Sequence, residues 1–177
     1  IGIGRIGMGV LDHLKGFGSP KILVNDIKSK RLENKLNVEW ADKERIYRCA
    51  DIITIHTPLT SQTKNMIKKD QLLSMKEDAI IINTARGGII NEQDLYDVMQ
   101  ENHLSGAAID VFDFEPYDGK LSEIKRCILT AHMGSMSVDC RSRMEIEATE
   151  EIVRFLNRQT LESVVPEEEY TVQREGL

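Results

Sequence analysis

The chain has 177 residues, with 23 Lys and Arg against 29 Asp and Glu, a formal net charge of −6 and a hydrophobic share of 41%. That length makes one domain of ordinary size, and a chain of this composition buries enough surface to exclude disorder or dependence on disulfide or metal staples. The acidic balance argues against a nucleic-acid or anionic-membrane partner, and no apolar run approaches the roughly 18 residues of a spanning helix.

The first residue is Ile1, and Gly2 already opens a glycine-rich loop. Gly2-Ile3-Gly4-Arg5-Ile6-Gly7 is a GxGxxG pattern running into a helix whose apolar face is expected to be Ile6, Val10, Leu11 and Leu14. In such a loop the first glycine makes the tight turn and the second lets a pyrophosphate reach the backbone. The third lets helix and sheet pack closely, and the helix N-terminus supplies free N–H donors. Ile22–Val24 reads as the next strand, and Asp26 at its end lies 19 residues after Gly7. An acidic residue there accepts hydrogen bonds from the adenosine ribose and repels a 2′-phosphate, so NAD is expected over NADP. Lys28, Lys30 and Arg31 follow closely and leave a relaxed preference open.

Further strands are expected at Val38–Trp40, Ile52–His56, Ala79–Thr84, Ala107–Phe112 and Cys127–Thr130. Several are apolar on both faces, the pattern of a buried parallel sheet. Between them lie helical patterns. Asn91 is the expected N-cap of a helix burying Leu95, Val98 and Met99. The longest helix carries a stripe of Met144, Ala148, Ile152, Phe155 and Leu156. Alternating strands and helices predict an α/β fold, a Rossmann-type doubly wound parallel sheet. Residues 1–158 are expected to form this domain, and 159–177 a tail without its own core.

Cys49, Cys127 and Cys140 are an odd number at spacings that fit neither a disulfide framework nor a metal site, so no metal is expected. Such cysteines fit a reducing, cytoplasmic setting. His13, His56 and His103 are read as structural, and Trp40 as a packing residue.

Three segments carry chemistry: Asn83–Gly88, Gly106–Pro116 and Leu129–Ser135. Together with Gly2–Gly7 and His56-Thr57-Pro58-Leu59-Thr60, they closely resemble the D-isomer-specific 2-hydroxyacid dehydrogenases, which include phosphoglycerate, glyoxylate/hydroxypyruvate and D-lactate dehydrogenases. The resemblance runs from Gly2 to about Asn157. It implies an NAD-dependent oxidoreductase that interconverts a small D-2-hydroxy acid and its 2-keto acid, of phosphoglycerate or hydroxypyruvate type. It also implies a homodimer joined through the nucleotide domain. Reducing a 2-keto acid needs hydride on carbon, a proton on oxygen and a partner for the carboxylate. His132 suits the proton transfer, Glu115 would orient its ring, and Arg86 would hold the carboxylate in a forked grip.

For the cofactor, the resemblance implies Arg5 and Ile6 at the pyrophosphate beside Gly2, Gly4 and Gly7, and Asp26 at the ribose. Thr57, Pro58, Thr63, Thr84, Ala85, Arg86 and His132 would line it. Asp110 would bond the nicotinamide carboxamide, and Gly134 would lie near the nicotinamide. The sequence departs from the family at Ala131, where proline often precedes the histidine, and at Met133 and Met136. Family members also carry a substrate domain built largely from an N-terminal part, which this sequence lacks. The expected fold is therefore a sheet truncated at its first strand, with the tail returning towards the absent substrate domain. A second reading keeps the nucleotide site but makes the protein an NAD-responsive corepressor-like scaffold.

Overall fold

The computed structural model describes residues 1–27 and 38–165. The basic residues Lys28, Lys30 and Arg31 and the tail beyond residue 165 lie outside them.

In chain order the elements are α1 (Arg5–Leu14), β1 (Ile22–Val24), β2 (Val38–Trp40), α2 (Lys43–Cys49), β3 (Ile52–Ile55), α3 (Lys69–Leu73), β4 (Ile80–Asn83), α4 (Glu92–Gln100), β5 (Gly106–Ile109), β6 (Cys127–Leu129) and α5 (Val138–Leu156). All strand pairs are parallel. β1 pairs with β2, and β3-β4-β5-β6 form a four-stranded sheet in chain order. Between the two sheets, Ile1 takes a single strand place: its amino group donates to Thr54 O at 2.8 Å, and its carbonyl accepts from His56 N at 2.8 Å. Gly2 N then donates to Asn25 O beyond β1.

The main core lies on one face of the larger sheet. Ile53 and Ile55 of β3, Ile81 of β4, and Ala107 and Ile109 of β5 pack with Ile46 and Tyr47 of α2, Leu72 of α3, and Leu95, Val98 and Met99 of α4. As expected, the Asn91 side chain caps α4 by accepting from Asp94 N at 2.9 Å. A smaller core joins Ile3, Leu11 and Val24, with Met8, Val38 and Trp40 against it.

Four readings of the sequence need correction. The strand at 107–112 ends at Ile109, because from Asp110 onward the backbone turns to build the loop described below; β3, β4 and β6 are likewise trimmed at their ends. Ile6 does not join the buried face of α1: it is 68% exposed, while Gly7 and Leu11 are buried. A Cβ on Gly7 would lie 2.1 Å from Gly2 O. This contact turns Gly7 inward, and successive residues are rotated by about 100°, so Ile6 faces out. Strands apolar on both faces are covered on only one among the described residues; Ile52, Ile80 and Ile128 share the other face and are exposed. The stripe on α5 exists but is not buried, with Phe155 and Leu156 at 70% and 72% exposure.

Gly7→Ala is expected to destabilise by about 1–3 kcal/mol, because the added methyl meets backbone that cannot retreat. Gly9→Ala, two residues on in the same helix with open space around its Cβ, should stabilise by up to about 1 kcal/mol. Denaturant midpoints of the two variants should move in opposite directions.

Candidate active site

Loops leaving the C-terminal ends of the parallel strands all open on one edge, the usual place for a ligand in an open α/β sheet. The loop after β1 supplies Asn25 and Asp26, and that after β3 supplies His56, Thr57 and Pro58. Together with Gly2 and Gly4 they line a cleft of about 310 Å³. Gly2 adopts φ +89°, a backbone angle that side chains disfavour, and a Cβ there would lie 2.6 Å from His56 O. Gly4 precedes α1 and has nothing within 4 Å of where a Cβ would stand. No side chain caps this helix and no acid occupies its first turn, so its N–H groups and positive dipole end face open space. Asp26 Oδ2 accepts from Ile3 N at 2.6 Å, which locks the acid to the glycine loop.

The loop after Pro58 is closed on itself. Thr63 Oγ1 donates to Pro58 O at 2.6 Å and accepts from Thr60 N at 2.7 Å. Thr57 Oγ1, by contrast, is buried and has no hydrogen-bond partner among the described residues. His56 Nε2 lies 3.1 Å from Thr54 Oγ1, and burial lowers the ring's pKa. Of the residues singled out in the sequence, Gly2, Gly4, Asp26, Thr57, Pro58 and Thr63 line the cleft. Thr60 of the quoted motif lines it as well, and the sequence reading did not find Ile27, Lys43, Ser61, Gln62 or Met66, which line it too. Lys43 and Met66 carry no motif; the fold brings them in from α2 and from the segment before α3.

Further along the same edge, the structure pairs Glu115 with His132. Glu115 Oε2 lies 3.0 Å from His132 Nδ1, and Glu115 Oε1 accepts from Phe112 N at 3.0 Å. Both side chains remain partly solvent-exposed, which leaves the other ring nitrogen open to a reactant. His132 itself sits at φ +52°. That bend is held by His132 N donating to Asp110 O at 2.8 Å, and by Asp110 Oδ1 accepting from Met133 N and the Thr130 hydroxyl. Asp110 therefore shapes the histidine loop.

Arg86 is placed on the same edge by Asn83, which is 1% exposed at the end of β4. The Asn83 amide donates to Arg86 O at 2.9 Å and accepts from Ala85 N at 3.0 Å, so it clamps the turn from inside. Arg86 is exposed, and its guanidinium donates to Ala85 O at 2.6 Å; no hydrogen bond or ion pair joins it to Glu115 or His132. Thr84 and Gly134 are exposed, and Ala85 is buried. Arg5, Ile6 and Gly7 lie on the first turn of α1, outside the cleft lining. Among the described residues no cluster of His, Cys, Asp and Glu could hold a metal, and no helix is long and apolar enough to cross a membrane.

The family description "D-isomer specific 2-hydroxyacid dehydrogenase, NAD binding domain" matches residues 1–134. A glyoxylate reductase from Korarchaeum cryptofilum is 34% identical across the whole chain, which spans 54% of that relative. A D-3-phosphoglycerate dehydrogenase from Bacillus subtilis is 34% identical over 88% of the chain and 30% of its own length. A crystal structure of D-lactate dehydrogenase with NAD+ from Lactobacillus jensenii superposes with a TM-score of 0.84 at 27% identity, over 93% of this chain and 54% of that one. The chain thus spans about half the length, or less, of these relatives.

The Phe112 N–H, and after it the His132 ring, holds the Glu115 carboxyl below the usual carboxylate range. The Glu115 carboxylate is therefore fully ionised above the ordinary glutamate value, and the stability its partners give it is lost only as pH falls through the lowered one. An NMR titration of the Glu115 side-chain carboxyl should show an inflection below that of an exposed glutamate. His132→Ala should move it upward by part of the difference.

Proposed function

The chain belongs to the D-isomer-specific 2-hydroxyacid dehydrogenase family as its NAD-binding domain, and from that premise we propose that it supplies both the nucleotide site and the catalytic residues of an enzyme reducing a small 2-keto acid or oxidising the matching D-2-hydroxy acid. The carrying observation is the Glu115–His132 pair, displayed on the same sheet edge as the glycine loop. In this reading residues 1–158 make up the nucleotide domain.

The residues present suit NAD. Gly4 leaves an open cradle at an uncapped helix start, where a pyrophosphate gains N–H donors and dipole. Thr57 Oγ1 is a buried hydroxyl with no partner among the described residues. In this reading Gly2, Gly4, Arg5, Ile6 and Gly7 hold the pyrophosphate, and Asp26 takes the adenosine ribose. Thr57, Pro58, Thr63, Thr84 and Ala85 line the path to the nicotinamide, which Asp110 and Gly134 flank. The bound nicotinamide supplies or accepts the hydride.

Everything else falls to side chains. Arg86 turns its fork from Ala85 O to the substrate carboxylate and draws density from the keto oxygen. His132 delivers a proton to that oxygen in reduction and removes it in oxidation. Glu115 fixes the ring through Nδ1 and stabilises the imidazolium. Hydroxypyruvate and phosphohydroxypyruvate are the first substrates to try, because relatives named for glyoxylate and phosphoglycerate chemistry match the chain. The domain pairs with a second copy, and the three free cysteines fit a cytoplasmic location.

Full-length enzyme titrated with NADH and then offered a panel of 2-keto acids tests the proposal; NADH binding without turnover of any acid would sink it. His132→Gln should lower kcat by roughly 10²–10⁴-fold with little change in NADH affinity. Asp26→Ala should weaken NADH and narrow the gap to NADPH, and an unchanged NADH/NADPH ratio would count against the ribose contact.

A further inference from the structure

Glu92, the first residue of α4, attracts no attention as a sequence position, yet its side chain reaches the loop after β5. Its Oε1 accepts from Asp113 N at 2.7 Å, across 21 residues of chain. Asp113 follows Phe112, whose own N–H donates to the catalytic Glu115. α4 in turn starts just after the turn that presents Arg86. The two segments also touch as bare backbone. A Cβ on Gly87 would lie 2.0 Å from Phe112 O and 2.6 Å from Asp113 N. Phe112 is anchored from its other side by stacking on Tyr117, with ring centroids 4.0 Å apart.

We propose that Glu92 is a positioning residue: it ties the Asp113 backbone to α4, and so sets the loop that aims Glu115 at His132 against the turn that carries Arg86. The bond needs only an acceptor oxygen at the right reach. An amide serves as well as a carboxylate, whereas a shorter side chain does not. Without the tether, Phe112 N and Glu115 lose a fixed neighbour, and the imidazole of His132 is held less firmly. Small losses of alignment at reacting groups lower turnover more than cofactor binding.

The kinetic part of this inference rests on the dehydrogenase reading above; the structural part does not. The test compares wild type, Glu92→Ala and Glu92→Gln in the full-length enzyme. In Glu92→Ala, amide exchange at both Asp113 and Phe112 should quicken about tenfold. kcat should fall roughly tenfold with NADH affinity unchanged. Glu92→Gln should restore both. Glu92→Asp, one methylene short, should repeat the alanine pattern in smaller measure, and takes its place if the alanine variant does not fold. Unchanged exchange at Phe112 with unchanged kcat would overturn the proposal, as would a glutamine variant that fails like alanine. If wild type reduces no 2-keto acid, the functional reading fails, and exchange at Phe112 alone then decides whether Glu92 positions the loop.

Discussion

Because β3 to β6 run parallel and in consecutive order, each strand must hand its chain to a loop at the same edge of the sheet. Everything chemical in this protein depends on that constraint. Asp26, Thr57, Arg86, Asp110 and His132 are far apart in the chain, yet each lies a few residues beyond a strand end. A parallel sheet with core-filling helices between its strands therefore gathers them without any local pattern that brings one to another.

The edge is held rigid by close backbone contacts and by polar groups spent on loop geometry. Gly7 against Gly2 O and Gly87 against Phe112 O leave no room for a side chain. Asn83 is buried with both ends of its amide bonded to the Arg86 turn, which a buried polar group needs if it is not to destabilise the core. Asp110 uses one carboxylate oxygen to bend the histidine loop, and Glu92 ties the intervening segment to α4. The exposed pair of Glu115 and His132 thus stands on a frame whose own hydrogen bonds are largely satisfied.

Outside that frame the surface is less finished. α5 is capped by Ser137, whose hydroxyl accepts from Cys140 N at 3.2 Å, and Arg154 braces it by pairing with Glu150 and Glu151. Its apolar stripe nevertheless faces solvent, as do Ile52, Ile80 and Ile128 on the uncovered sheet face. Helix periodicity could show that the stripe exists. It could not show whether anything lies against it, because burial depends on what stands opposite.

The sequence by itself determined the order of the strands, the helices α1, α4 and α5, the glycine loop and the Asn91 cap, and it singled out Arg86, Glu115 and His132 as candidates. Periodicity, turn residues and the chemistry of those side chains are local properties that survive in one dimension. Only the tertiary structure decided that Ile6 faces outward, since that follows from Gly7 meeting Gly2. It alone brought Lys43 and Met66 to the cleft, and it alone gave Asn83 and Glu92 their work inside the loops. Those roles arise from contacts between segments distant in the chain, and no spacing along the sequence encodes them.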